Sequence, residues 1–257
     1  MSEFDADSVR PASLLLDRDD PPPAIVANPG AASPFLLIGD HAGRAIPRAL
    51  GDLGLPPGAM DLHIAWDIGI SGLGRALARL LDACFVEQAY SRLVLDCNRK
   101  PGAADRAPPV SDGVGVPGNV GLSEADMAAR VAAIYEPYNA AIAQAAAGRR
   151  LLVSLHSFTP AMQGLARPWK LGVLHAQDSP LSLKLLALLR AELGEEAGDN
   201  QPYAMDGTDN TVPLHAPRFE DYVELEVRQD LIQDVDGQAA MAAMLARILP
   251  ALVEDPK

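Results

Sequence analysis

Short apolar runs, each closed by polar or charged residues, recur along the chain with stretches of helical periodicity between them. FLLIG (35–39) leads into Asp40 and His41, RLVLDC (92–97) into Asn98 and Arg99, and LLVSL (151–155) into His156 and Ser157. KLGVLH (170–175) ends in a histidine, and YVELEV (222–227) alternates Glu224 and Glu226 with apolar residues ahead of Arg228. Runs of this length bounded by turn formers read as strands. In AWDIGISGLGRALARLLDA, Ile70, Leu73, Leu77, Leu80 and Leu81 recur at helical spacing, with Arg75 and Arg79 on another face. A short helix is expected from Pro47, and Ser123 caps another that runs to about residue 148. That helix carries Met127, Val131, Ile134 and Tyr138 on one side and should kink or divide at Pro137. Pro180 opens a further helix stopped by Gly194, and residues 238–252 close the chain as the last one. Strands alternating with helices predict a single α/β domain, a largely parallel mixed sheet with helices on both faces.

The remaining stretches set the limits of that domain. With 257 residues, 49% of them hydrophobic, the chain can bury one sizeable core. Residues 1–33 are polar and proline-rich, and DRDDPPPAI sustains neither a helix nor a central strand, so they read as an arm or leader before a domain spanning 34–257. Residues 98–122, rich in Gly, Pro, Asn and Asp, form a loop long enough to be either disordered or functional. A formal net charge of −13 argues against nucleic acid or an anionic membrane as partner, though not against a small anionic substrate. There is no membrane-length apolar run, and MSEFDADSVR lacks the basic start of a secretory signal, so a cytoplasmic location is expected. The two cysteines, Cys84 at an apolar helix end and Cys97 at a strand end, read as reduced core residues. A Gly-x-Gly-x-x-Gly turn, a phosphate loop and a Gly-x-Ser-x-Gly elbow are all absent.

In a parallel sheet, ligands gather at the carboxyl ends of the strands. The residues delivered there include His41 and His156, imidazoles suited to hold zinc with a carboxylate as third ligand. Asp67 in HIAWD is the best-placed carboxylate, with helix capping as its competing role; Asp40 is the alternative. Glu226, nearer the strand end than Glu224, is the candidate general base, with Arg228 as its competing structural partner. Arg99 beside Asn98 can grip a substrate carboxylate through its planar fork. Arg44 can do the same or neutralise an oxyanion, and otherwise reads as a solvated surface cation. His215, in PLHAPRF, is the further histidine best placed to reach such a pocket.

These residues also carry a resemblance. DHAGRAIP (40–47), HIAWDIG (63–69), YSRLVLDCNR (90–99), LVSLHSFTP (152–160), RPWKLGVLH (167–175), DNQPY (199–203) and VELEVRQDL (223–231) together resemble the N-formylglutamate amidohydrolase family. The resemblance implies the three-layer α/β sandwich of the zinc carboxypeptidases and zinc-dependent hydrolysis of N-formyl-L-glutamate to glutamate and formate, a step in histidine breakdown. By similarity the two histidine motifs fall on His41 and His156, the strand-end glutamate on Glu226 and the Asn-Arg pair on Asn98 and Arg99. The carboxypeptidase-like pattern His-x-x-Glu is broken here, because Arg44 stands where the glutamate would be. Two other readings stay open: a deacylase or carboxypeptidase-like enzyme on another acidic amide, and a non-catalytic anion-binding module on a hydrolase scaffold.

Overall fold

The computed structural model describes residues 15–176, 179–205 and 207–253. Seven strands form one sheet: β1 (Ala24–Ala27), β2 (Phe35–Gly39), β3 (Cys84–Gln88), β6 (Leu151–Phe158), β9 (Leu171–Leu174), β10 (Ala197–Asp199) and β11 (Asp221–Arg228). Their spatial order is β1-β3-β2-β6-β11-β9-β10. The central strands β3, β2, β6 and β11 run parallel, β1 joins antiparallel at one edge, and β9 is antiparallel to β11 but parallel to β10. Two small hairpins, β4 (Val110–Ser111) with β5 (Val114–Gly115) and β7 (Ala161–Met162) with β8 (Leu165–Ala166), stand apart from the sheet.

Strand alternation sorts the side chains into two cores. Phe35, Leu37, Phe85, Leu151, Val153, Leu155, Val223, Leu225 and Val227 point to one face. There they meet α1 (Ile70–Leu81), α4 (Pro180–Leu193) and α6 (Val235–Ile248) through Leu73, Leu77, Leu185, Leu189, Ala242 and Leu245. The intervening residues point the other way, where Leu36, Ile38, Cys84, Val86 and Leu152 pack with Ile134, Tyr138 and Ile142. Burial on both faces explains the near-continuous apolar runs of β2 and β6. On this second face the apolar pattern breaks at the carboxyl ends, where Ser154, His156, Glu224 and Glu226 take over. The parallel register sets Glu226 opposite His156 and Glu224 opposite Ser154, so the change of polarity is shared by both central strands.

Several expectations are corrected. RLVLDC is not a strand. Ser91 closes a turn, its carbonyl accepting from Val94 N at 2.9 Å and its Oγ from Leu93 N at 3.1 Å, and Leu93, Val94 and Leu95 are all buried in the second core. Continuous apolar burial does not distinguish a strand from a buried turn. The strand in this region is β3, which begins at Cys84, so that cysteine is not at a helix end; Cys84 and Cys97 are both buried and free. The segment after Pro47 makes only a 3-10 turn, Arg48–Leu50. The helix capped by Ser123 is interrupted just ahead of Pro137 by a change of helical form and not by a break in the chain's coiling. It runs as α2 (Glu124–Arg130), a π-helical turn (Val131–Tyr135) and α3 (Glu136–Ala145), and the wider turn accommodates the proline ring. The strand at 151–155 extends to Phe158, placing His156 and Ser157 inside it.

Of the stretch read as an arm, residues 1–14 lie outside the described residues, whereas 24–27 form the edge strand β1 beyond the prolines. Tyr90 OH donates to Pro21 O at 2.6 Å, fixing this stretch to the second core. Among the described residues no helix is long and apolar enough to cross a membrane.

One joint connects the fold to the site. Gly69 precedes α1 at φ +89°, and a Cβ there would lie 2.1 Å from the carbonyl oxygen of Ile232. Gly69→Ala therefore combines an unfavourable backbone with a clash next to Asp67. A loss of about 1–3 kcal/mol in urea unfolding is expected, with weaker zinc uptake by the folded variant.

Candidate metal centre and active site

His41 follows β2 on a turn, and His156 rises from β6 beside it, their ring centroids 5.1 Å apart. Asp67 arrives from the segment ahead of α1, held by its own backbone N–H, which donates to His41 O at 2.8 Å. Its carboxylate accepts from Ser157 N at 3.1 Å, lies 3.1 Å from His156 Nδ1 and stands 3.6 Å from His41 Nδ1. The helix cap of α1 is Gly69, so Asp67 is not spent on capping. One ligand atom each from His41, Asp67 and His156 lies within 4.8 Å of the others, and all three residues are buried.

The surroundings favour a cation. Asp96 Oδ1 accepts from His41 Nε2 at 2.7 Å, which in the neutral ring leaves Nδ1 as a bare lone pair directed at Asp67. That Nδ1 is buried and makes no hydrogen bond. His156 Nε2 is 3.1 Å from Ser154 Oγ and 3.7 Å from Asp40 Oδ2; Tyr138 OH donates to the other Asp40 oxygen at 2.8 Å. Asp40 thus lies behind His156 rather than among the ligand atoms. Five buried carboxylates, Asp40, Asp67, Asp96, Glu224 and Glu226, surround two imidazoles and Arg92. Arg92 spans Asp96 at 2.7 Å and Asp67 at 3.6 Å.

Without a cation the protons redistribute. Burial disfavours the imidazolium of His156, but its hydrogen bond to Asp67 and the charge of Glu224 outweigh that and hold its pKa well above the usual range. Burial pushes Glu224 up to about 7 and Glu226 up to about 8, with His156 opposing both. One oxygen of each glutamate has no hydrogen-bond partner. A divalent ion facing two imidazole nitrogens and a carboxylate resolves this imbalance, and that donor set is one that zinc prefers.

The cluster lies in a cavity of about 490 Å³. Its walls include Asn98, Arg99, His63, Thr159, Tyr203 and Asp209, and the 98–122 loop supplies Pro108, Val110, Ser111 and Asp112. Asp112 is latched to His63 Nε2 at 3.3 Å. Arg99 reaches the cavity with Nε on Asp105 at 2.8 Å, and Asn98 is buried beneath it. The Asn98 side-chain oxygen accepts from the backbone of Asn210 and Thr211, each at 3.0 Å, and so holds the loop that carries Asp209.

Two residues named from the sequence lie elsewhere. Arg44 leaves the cavity, pairs with Asp61 at 2.8 Å and stacks on Trp66 at 5.1 Å, because the turn after His41 turns its side chain outward. His215 is buried in α5 (Thr211–His215) with Nε2 on Asn139 Oδ1 at 2.7 Å, away from the cavity. The sequence assigned no role to Arg92, Asp96 or Tyr203. Asp96 was visible as part of a supposed strand end, but no sequence signal linked it or Arg92 to His41.

A family model for N-formylglutamate amidohydrolase matches residues 33–233. The chain belongs to this family. A solved gene product of Agrobacterium tumefaciens is 35% identical, with a TM-score of 0.88, over 93% of this chain and 98% of its own. The N-formylglutamate amidohydrolase of Ralstonia eutropha shares the fold at 19% identity and a TM-score of 0.63, over 90% of this chain and 97% of its own. No curated protein matches the sequence significantly. Family membership and the His41, Asp67, His156 cluster together make the chain a metal-dependent amidohydrolase whose centre fits zinc.

Elemental analysis of protein purified without chelator should find about one zinc per chain. His41→Ala, His156→Ala and Asp67→Ala should each lose it, and Arg44→Ala should keep it. A second expectation concerns His215. Burial, assisted by Arg218, pushes its imidazole down to about 4, and protonation would leave a second buried N–H without an acceptor. The folded state keeps His215 neutral while the unfolded chain protonates below about pH 6.5. Its contribution to stability is therefore complete above about 6.5 and is lost as the pH falls toward 4. His215→Gln should flatten unfolding free energy against pH in that window, by at most about 1.4 kcal/mol per pH unit.

Proposed function

We propose that this family member hydrolyses the amide of an N-formyl amino acid, N-formyl-L-glutamate above all, to the free amino acid and formate. The observation that carries this reading is the His41, Asp67, His156 cluster in a cavity that also holds Glu226 and Arg99. Zinc held by His41 Nδ1, Asp67 and His156 Nδ1 would polarise the amide carbonyl and acidify water.

The chain's own groups do the remaining work. Glu226 stands opposite His156 on the cavity wall, one of its oxygens without a hydrogen-bond partner, and is placed to take a proton from the attacking water and pass it to the departing nitrogen. Burial has already raised its affinity for that proton, which suits a group that must hold one between two transfers. Arg92, bound to Asp96 and Asp67, presents a fixed positive charge where negative charge develops on the carbonyl oxygen. Arg99 keeps part of its fork for the α-carboxylate of the substrate, and Asn98 steadies the loop facing it. Asp96 orients His41 through Nε2.

The test is formate release from N-formyl-L-glutamate by zinc-loaded protein, compared with N-acetyl amino acids and a peptide. Cleavage of the acetyl or peptide substrate alone would turn the reading toward a deacylase or carboxypeptidase. Chelation should abolish turnover and zinc should restore it. Glu226→Gln should lower kcat by roughly 10²- to 10⁴-fold with zinc content unchanged, and Glu224→Gln, which is set deeper, by much less. Unchanged turnover in Glu226→Gln would remove it as the base.

A further inference from the structure

An acidic amino acid carries two carboxylates, and the roles assigned so far provide for one. Of the arginines on the cavity wall, Arg92 is held by Asp96 and Asp67, and Arg99, held by Asp105 at 2.8 Å with Asp209 at 3.9 Å, gives the rest of its fork to the α-carboxylate. Outside the wall, Arg44 is held by Asp61 and Arg228 by Asp230, both at 2.8 Å. Arg167 differs. Among the described residues no carboxylate lies within 4 Å of its guanidinium, whose contacts are to neutral groups only.

Those contacts build a seat at the edge of the cavity. Arg167 follows β8, and its backbone N–H donates to Pro160 O at 2.8 Å, closing the β7–β8 hairpin. NH1 donates to Thr159 Oγ1 at 3.1 Å. The guanidinium lies over the rings of Tyr203 at 4.8 Å and Phe158 at 5.8 Å, which fixes its plane without neutralising it. Phe158, Thr159, Met162 and Tyr203 all line the cavity, so the seat and the cavity share a wall. The charge of Arg167 is felt at His63 and Tyr203, on that same wall. A half-buried guanidinium, oriented by stacking and lacking a counter-ion beside a cavity crowded with carboxylates, is arranged to receive an anion from outside the protein.

We propose that Arg167 binds the side-chain carboxylate of the substrate and selects N-acyl amino acids with acidic side chains over neutral isosteres. This rests on the amide-hydrolase reading of the same cavity. The reaction is unchanged; Arg167 determines which amide is brought to it.

The experiment compares N-formyl-L-glutamate with N-formyl-L-glutamine on zinc-loaded wild type, Arg167→Gln and Arg167→Lys. Wild type should favour the glutamate derivative in kcat/KM by roughly 10- to 100-fold, the range of a charge-assisted hydrogen bond. Arg167→Gln should erase that preference, chiefly through KM, while its rate on the glutamine derivative stays within about threefold of wild type. Arg167→Lys should recover part of it. An equal loss on both substrates, or an undiminished preference in Arg167→Gln, overturns the proposal.

Calorimetry with L-glutamate and L-glutamine on the same proteins separates this inference from the hydrolase reading. If wild type cleaves neither amide yet prefers glutamate, and Arg167→Gln does not, the assignment of Arg167 stands and the N-formyl-amide reading falls. If both amides are cleaved and no protein discriminates between glutamate and glutamine, Arg167 is not the selector and the hydrolase reading survives.

Discussion

The carboxylate of Asp67 is the point on which the rest of the site depends. It faces the Nδ1 atoms of both histidines, accepts the backbone N–H of Ser157 on a central strand and lies within ion-pair distance of Arg92. Through its own N–H it is tied to the backbone of His41. The end of β2, the entry to α1 and the end of β6 are thus joined at one buried group. Removing it would leave two imidazoles and a guanidinium facing one another, which is far costlier than losing a single hydrogen bond. The tight left-handed turn at Gly69 serves the same purpose, since it lets α1 leave immediately after this residue.

The sequence revealed the fold through its period. Alternation in YVELEV and the apolar runs of β2 and β6 located the central strands, and β11 and β6 do set Glu226 opposite His156. The run RLVLDC misled because a turn buried on all sides looks like a strand buried on both faces, whereas CFVEQ, the strand itself, ends in a glutamate and a glutamine that disguise it. For the site, strand-end position brought out His41, His156 and Glu226, and context brought out Asp67, and all four line one cavity. The roles of Arg92 and Asp96 were not legible because they depend on a turn crossing beneath His41, a contact between residues 55 positions apart. Arg44 was overvalued for the opposite reason. Proximity to His41 in sequence does not set side-chain direction, and the chain turns it toward Asp61 and Trp66.

The position of Arg44 also bears on how the centre is built. In the His-x-x-Glu arrangement both ligands would come from one turn, so local geometry would fix them together. Here the third ligand, the carboxylate of Asp67, comes from the segment before α1, and its place depends on long-range contacts with β6 and His41. A centre assembled from three separate segments forms only when the tertiary structure forms. Its five buried carboxylates are compensated only in part by Arg92, the two imidazoles and protons held on Glu224 and Glu226. Cation binding and folding are therefore coupled: the free energy gained by satisfying those carboxylates is returned in part as stability of the α1 entry and the strand ends. Two imidazoles flanked by acids lose protons as the ion enters, so the coupling strengthens as pH rises through the range in which those imidazoles give up their protons.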